Sequence, residues 1–310
     1  MIRIKVRFFH RNATGPGDDL RICSEDTDEY ILQQSEVNMT AQDPASRFLE
    51  PQCHDENGAG FAPLLPDISG ETITALVRDI EKTGFAVLPN YVDHENLKHL
   101  QSFVSTKVAE AGGEYVELTG KPAFQGTMLD AIADAPEFMS LIRRIYQTGY
   151  GLTPPPQLLY QVLRCLKGKT GLAHSYFFHY DSYVVTVLLP IIIPTGDRAG
   201  HLVMIPNLRK LRSTYLINVF DKLLADNKLA QFLFLHAFRA RRLGFVRVPL
   251  VPGNLYIFWG YRTLHANEPC DPERIRATAL YHFADPHADS YLRKITGQAK
   301  VRATIQDEPG

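Results

Sequence analysis

The stretch that most constrains this chain runs from Ser175 to Asp181, Ser-Tyr-Phe-Phe-His-Tyr-Asp, and leads straight into the apolar run Val184 to Ile193. Its His-x-Asp sets an imidazole, His179, and a carboxylate, Asp181, two residues apart at what reads as a strand end. Period-2 geometry turns both to one face, so two metal ligands can converge on one side of a sheet. A divalent iron that must keep coordination positions open uses two histidines and one carboxylate, so a second histidine is needed from elsewhere.

The chain around this stretch falls into three parts. Residues 2 to 8 alternate Ile2, Ile4, Val6 and Phe8 with Arg3, Lys5 and Arg7, the pattern of a half-buried edge strand. From Asn12 to about Pro66 periodicity fades into Gly, Pro, Asp and Asn, so residues 1–66 read as an irregular arm. Ser69 then caps a helix carrying Ile73, Leu76, Val77 and Ile80 and ended by Gly84; Phe85 to Pro89 reads as a short strand. Asp93 caps a second helix with Leu97, Leu100, Val104 and Val108, and a third starts near Asp134 and buries Phe138, Leu141, Ile142 and Ile145.

After Pro154-Pro155-Pro156 the pattern turns to strands: Gln157–Leu166, Tyr176–Tyr180, Tyr183–Ile193, His201–Ile205, Phe245–Val251, Asn254–Trp259 and Thr278–Phe283. Helices followed by a strand-rich half predict a β-sandwich or barrel flanked by helices. A helical insertion at about 207–243 interrupts the strands, with Leu216, Val219, Phe220, Leu223 and Leu224 on one face as a packing stripe, then Leu229, Phe232, Leu233 and His236 after an Asn227 cap.

Three histidine pairs compete for the site. His54-Asp-Glu56 lies in a Gly- and Asn-rich loop with no strand to hold it, and His287-Ala-Asp289 follows the last strand with nothing downstream. Only His179-Tyr-Asp181 has strands on both sides and a second histidine well downstream, His265, in Gly253-Asn-Leu-Tyr-Ile-Phe-Trp-Gly-Tyr-Arg-Thr-Leu-His265. Further on, Arg274 and Arg276 open the last strand, and either guanidinium could grip a dicarboxylate bidentately beside a metal.

These motifs, in this order, resemble the Fe(II)/2-oxoglutarate-dependent oxygenases of the phytanoyl-CoA hydroxylase-like family over roughly residues 75 to 297. The likeness takes in Gly84-Phe-Ala-Val-Leu-Pro-Asn-Tyr-Val-Asp93, His179-Tyr-Asp-Ser-Tyr183, Gly200-His-Leu-Val-Met-Ile-Pro206, His265 with Arg276, and His282-Phe-Ala-Asp285. The resemblance implies an α+β, mainly β fold: a double-stranded β-helix (a cupin-like jelly roll) at about 157–285, inside one oxygenase domain of 67–310. It implies iron on His179, Asp181 and His265, and favours Arg276 over Arg274 for the distal carboxylate of 2-oxoglutarate, with Asn267 where the family often has a serine near the cosubstrate. A tryptophan that some members have just after the His-x-Asp strand has no counterpart, since Val187-Leu-Leu-Pro190 occupies that region.

The activity so implied is hydroxylation of a C–H bond in a small organic substrate, using O2 and turning 2-oxoglutarate into succinate. Related halogenases have a small residue where Asp181 stands, so the carboxylate points to hydroxylation, desaturation or a similar oxidation. A cupin-like isomerase, which has no use for Arg276, and a non-catalytic binding protein are the alternatives. Composition reads as that of an ordinary soluble globular protein: among 310 residues 45% are apolar, and 33 basic against 34 acidic side chains give no general attraction to nucleic acid or anionic lipid. The four cysteines, Cys23, Cys53, Cys165 and Cys270, lie far apart, and no apolar run nears a membrane span, so a reduced, cytoplasmic setting without membrane insertion is expected. Arg239, Arg241 and Arg242 at the end of the insertion read as a solvated helix end, with an anionic substrate group as the alternative.

Overall fold

Polar caps set the helix ends in the first half of the fold. The computed structural model describes residues 65–295. The expected strand at 2–8, the His54/Glu56 pair and all but the end of the arm lie outside them. The Ser69 hydroxyl accepts the Thr72 N–H at 3.2 Å to open α1 (Gly70–Thr83), and Asp93 accepts from the Asn96 N–H at 2.9 Å to open α2 (His94–Glu110). The helix expected from near Asp134 is α4 (Pro136–Tyr150), and a further helix that the sequence reading did not give, α3 (Met128–Asp134), opened by Thr127, precedes it. Pro136 separates them, because a proline bars helical geometry in the residue before it while fitting the first helical position itself.

Among the described residues nine strands follow or interleave: β1 (Ala86–Leu88), β2 (Val116–Thr119), β3 (Tyr160–Leu166), β4 (Val185–Ile192), β5 (Leu202–Ile205), β6 (Val246–Val248), β7 (Leu255–Phe258), β8 (Leu264–Asn267) and β9 (Arg276–Phe283). A short helix, α5 (Gly168–Leu172), leaves β3, and the insertion is the hairpin α6 (Tyr215–Asp226) and α7 (Lys228–Arg239). All pairings are antiparallel, in a six-stranded sheet of order β1-β7-β4-β9-β3-β2 and a three-stranded sheet of order β6-β5-β8. The architecture is mixed helix and antiparallel sheet.

Strand parity decides what each face does. On β4, Val185, Val187 and Leu189 join the core that α1–α4 form against the outer face of the large sheet, and so do Ala277, Ala279, Tyr281 and Phe283 of β9. The alternate residues Leu188 of β4, Tyr256 and Phe258 of β7, and Leu202 and Met204 of β5 form a second cluster between the sheets. Register then aligns Thr186 with His282, Leu188 with Leu280 and Pro190 with Thr278 on the inner face. On the small sheet Met204 pairs with His265 and Leu202 with Asn267, so both polar residues share that inner side.

Two expectations about this half need correcting. Tyr176–Tyr180 is not a strand: only an isolated bridge joins His179 to His265, and Tyr176 has φ 54°. The Gln231 amide of α7 takes up the backbone of the neighbouring Phe178, accepting its N–H at 2.8 Å and donating to its carbonyl at 2.7 Å, so the groups a ladder would use are already satisfied. Secondly, the stripe Leu216, Phe220, Leu223 and Leu224 is exposed instead of packed, and the hairpin is held through Ala225, Phe234, Leu235 and Phe238 against Phe178, Val203, Ile205 and Leu264. Among the described residues no helix is long and apolar enough to cross a membrane.

Candidate metal centre

His265 reaches the inner face from β8, a four-residue strand absent from the sequence reading, and His179 is fixed opposite it by two backbone hydrogen bonds of 2.9 and 3.0 Å. Asp181 N–H donates to Gly260 O at 3.1 Å, which brings the carboxylate beside both rings. Asp181 Oδ1 lies 3.8 Å from His179 Nε2 and 3.6 Å from His265 Nε2. One ligand atom from each of the three falls within 4.8 Å of the others. Cis ligands around a first-row ion with bonds of ~2.1 Å stand about 3 Å apart, so a small contraction closes the site.

The tautomers fit that purpose. His179 Nδ1 is 3.0 Å from Phe177 O and His265 Nδ1 is 3.0 Å from Thr263 O, so each ring donates from Nδ1 and turns an Nε2 lone pair to Asp181. Burial, with His265 adding to it, pushes the His179 pKa down to about 3, which keeps the imidazole neutral. Burial opposes ionisation of Asp181, yet His265, His282 and His179 around it hold its carboxyl below the ordinary range. A neutral imidazole and an ionised carboxylate are the forms that bind a cation.

Side chains the sequence reading passed over hold Asp181 in place. Thr186 Oγ1 donates to Asp181 Oδ2, which leaves Oδ1 able to bind a cation, and is itself 3.1 Å from His282 Nδ1. Tyr183 stacks on the His282 ring at 5.3 Å. A Cβ on Gly260 would fall on Asp181 Oδ2 and Thr186 Oγ1, so only glycine lets the carboxylate lie against the chain here. Thr186 and His282 were visible by parity, one the polar residue of an apolar run, the other on the same face as Arg276. Gly260 carried no signal, because its role lies in the atoms a side chain would strike.

Arg276 is 1% exposed on β9, donating from Nε to Gly200 O at 2.7 Å, from Nη1 to Thr278 Oγ1 at 3.3 Å and from Nη2 to Asn267 Oδ1 at 2.8 Å. All three acceptors are neutral. Burial pushes the guanidinium pKa down to about 10, so it stays charged at neutral pH. Gly200, at φ 70°, admits it: a Cβ there would lie 2.8 Å from Arg276 Cδ. Arg274, expected to open the strand with Arg276, precedes it instead, is exposed and bonds Thr195. Between the ligand cluster and the Asn267–Thr278 pair lies a cavity walled by Val162, Leu188, Leu202, Phe258 and Leu280.

No protein-family model matches the chain, and no curated protein matches it. Solved structures similar to it include a prolyl-4-hydroxylase from Pseudomonas putida, 15% identical and covering 72% of this chain and 98% of that one at a TM-score of 0.45. A prolyl hydroxylase from Trichoplax adhaerens, solved with a hypoxia inducible factor peptide fragment, is 15% identical over 71% of this chain and 93% of that one, TM-score 0.47. SnoK, a non-heme alpha ketoglutarate dependent carbocyclase from nogalamycin biosynthesis, is 17% identical over 75% and 93%, TM-score 0.44. None of these likenesses is close enough to carry an argument, and the chemistry rests on this chain's own residues.

That chemistry has two ends. One brings two imidazoles and a carboxylate together on one side of the cavity; the other offers a buried cation whose bonded acceptors among the described residues are all neutral. His287, by contrast, bonds Tyr261 OH at 3.0 Å, and Arg239, Arg241 and Arg242 stand exposed at the end of the hairpin, outside the cavity lining.

Proposed function

We propose that the chain is a non-haem Fe(II)/2-oxoglutarate-dependent dioxygenase of the phytanoyl-CoA hydroxylase-like kind, one domain over 67–310 on a double-stranded β-helix, hydroxylating a C–H bond of a small organic substrate. The observation that carries this reading is Arg276. A fully buried guanidinium with only neutral acceptors is costly unless an anion joins it, and the Asn267 and Thr278 side chains it bonds line the same cavity as two histidines and a carboxylate. A cupin-like isomerase would need the ligands but not that cation.

In this reading His179, Asp181 and His265 hold the iron by Nε2, Oδ1 and Nε2. Arg276 takes the distal carboxylate of 2-oxoglutarate with its free N–H groups, and Asn267 orients the guanidinium from the cavity side. Bound iron(II), with 2-oxoglutarate and O2, supplies the oxidising chemistry, and succinate and carbon dioxide leave. Thr186 keeps Asp181 turned to the metal, and Val162, Leu188, Leu202, Phe258 and Leu280 exclude water from the reacting end.

The test is succinate release from 2-oxoglutarate under air with Fe(II) supplied, in the absence of added substrate. Slow conversion is expected from the wild type, none from Asp181→Ala, and a KM for 2-oxoglutarate raised at least tenfold in Arg276→Gln. Conversion unaffected by either substitution would contradict the assignment.

A further inference from the structure

The cavity holds a second guanidinium that the proposed reaction leaves without a role. Arg164 lies on β3 opposite Thr278 of β9, the same inner-face row that carries Arg276, Leu280 and His282. It lines the cavity together with His179, Asp181, Asn267 and Thr278. Beyond burial, its charge also holds down the pKa values of His179, His282 and Arg276, which places it within electrostatic reach of both ends of the site.

Its own needs are poorly met. Arg164 Nε is buried without a hydrogen-bond partner. Its acidic partner is Glu117, across the β2–β3 pair, whose Oε1 stands 3.5 Å from Nη2, and Glu117 also accepts the Tyr115 hydroxyl. A structural cross-strand ion pair would be expected to use its donors in the bidentate geometry that arginine favours with carboxylates. Here the contact is a single loose one at the rim, and a buried donor left open costs about 1–3 kcal/mol until something fills it. None of the polar side chains lining the cavity bonds Arg164 Nε, so a carboxylate brought by a ligand supplies the partner it lacks.

We infer that Arg164 is a second carboxylate-binding side chain of this cavity, separate from Arg276, receiving the acid group of an organic acid. This rests on the cavity being the 2-oxoglutarate site proposed above. The carboxylate has two possible sources, the cosubstrate or the substrate. If the substrate supplies it, the enzyme acts on a carboxylic acid whose reacting carbon is held near the metal by its own acid group.

The experiment uses the full chain loaded with Mn(II), which binds without turnover, and calorimetric titration of wild type, Arg164→Gln, Arg164→Lys and Glu117→Gln. The probes are 2-oxoglutarate, 2-oxobutyrate as a keto acid lacking the distal carboxylate, and hexanoate added over saturating 2-oxoglutarate. Arg164→Gln is expected to lose at least tenfold in affinity for one of them, with partial recovery in Arg164→Lys and no loss in Glu117→Gln. A loss for 2-oxoglutarate but not 2-oxobutyrate assigns Arg164 to the cosubstrate's distal acid; a loss for both keto acids assigns it to the shared carboxylate beside the keto group; a loss for hexanoate alone assigns it to a substrate acid. Wild-type affinities throughout in Arg164→Gln, with thermal stability lowered equally in Arg164→Gln and Glu117→Gln, would overturn the inference and leave a cross-strand ion pair. Failure of the wild type to bind either keto acid would instead sink the functional reading on which this one stands.

Discussion

Asp181 has two oxygens with different duties, and the residues around it separate them. Oδ1 faces two Nε2 atoms while Oδ2 is held by Thr186. Thr186→Val keeps the shape and removes the donor, so Mn(II) affinity measured by calorimetry should fall about 10–100-fold, the usual effect of losing a group that orients a ligand. Gly260→Ala should cost more, because its Cβ would occupy the carboxylate's position and the Thr186 hydroxyl's together. The expected result is undetectable metal binding with an unchanged far-UV spectrum; tight binding in Gly260→Ala would mean that Asp181 reaches the metal from elsewhere. His179 and Asp181 could be singled out from sequence as candidate ligands because an imidazole and a carboxylate two residues apart declare themselves locally. Thr186 and Gly260 act only through Asp181, across chain separations that no local pattern encodes.

At the scale of elements, the insertion clamps the segment that carries His179. Gln231 of α7 satisfies both backbone groups of Phe178 and also donates to Ala225 O at 2.8 Å, tying hairpin and ligand segment together. Gln231→Leu strands those groups at a cost of about 1–3 kcal/mol and frees His179, so both denaturant midpoint and Mn(II) affinity should drop; a stability loss with metal affinity intact would show that the clamp does not position the ligand. α6 contributes Lys222, which donates to Ser182 Oγ at 2.8 Å and whose pKa burial pushes down to about 8. Between pH 8 and the ordinary lysine value the unfolded chain binds more protons than the folded one, so Lys222 makes stability rise with pH across that window. The wild type should therefore gain on Lys222→Met in urea midpoint from pH 8 to 10, and parallel profiles would contradict the burial of this amine. The hairpin's helical periodicity was legible, but which face packs was not: the apolar stripe is exposed, and contact is made through Ala225, Gln231 and Phe234. β8 was illegible for another reason. Leu-His-Ala-Asn is too short to show a period, and it is a strand only because β5 lies beside it.

Over the whole molecule, helices first and strands later was readable from periodicity, whereas the strand order was not, since pairings such as β3 with β9 and β1 with β7 join distant parts of the chain. Those pairings make the site a joint property of both sheets: Thr186 and His282 come from the large one, His265 and Asn267 from the small one, and His179 and Asp181 from the segment between α5 and β4. An ion bound there fastens the sheets together and stabilises the folded state by mass action, about 2.7 kcal/mol at a hundredfold excess over Kd. Mn(II) should raise the melting temperature of the wild type by several degrees and leave that of His265→Ala unmoved; equal shifts in both would place the ion elsewhere. The central claim, that these side chains and Arg276 together hold an iron–2-oxoglutarate chelate, is tested most directly by anaerobic addition of one equivalent of Fe(II) followed by 2-oxoglutarate. The account predicts a weak visible charge-transfer band that saturates at one chelate per chain, is lost in His265→Ala and needs far more 2-oxoglutarate in Arg276→Gln. No band from the wild type, or an undiminished band from His265→Ala, would contradict it.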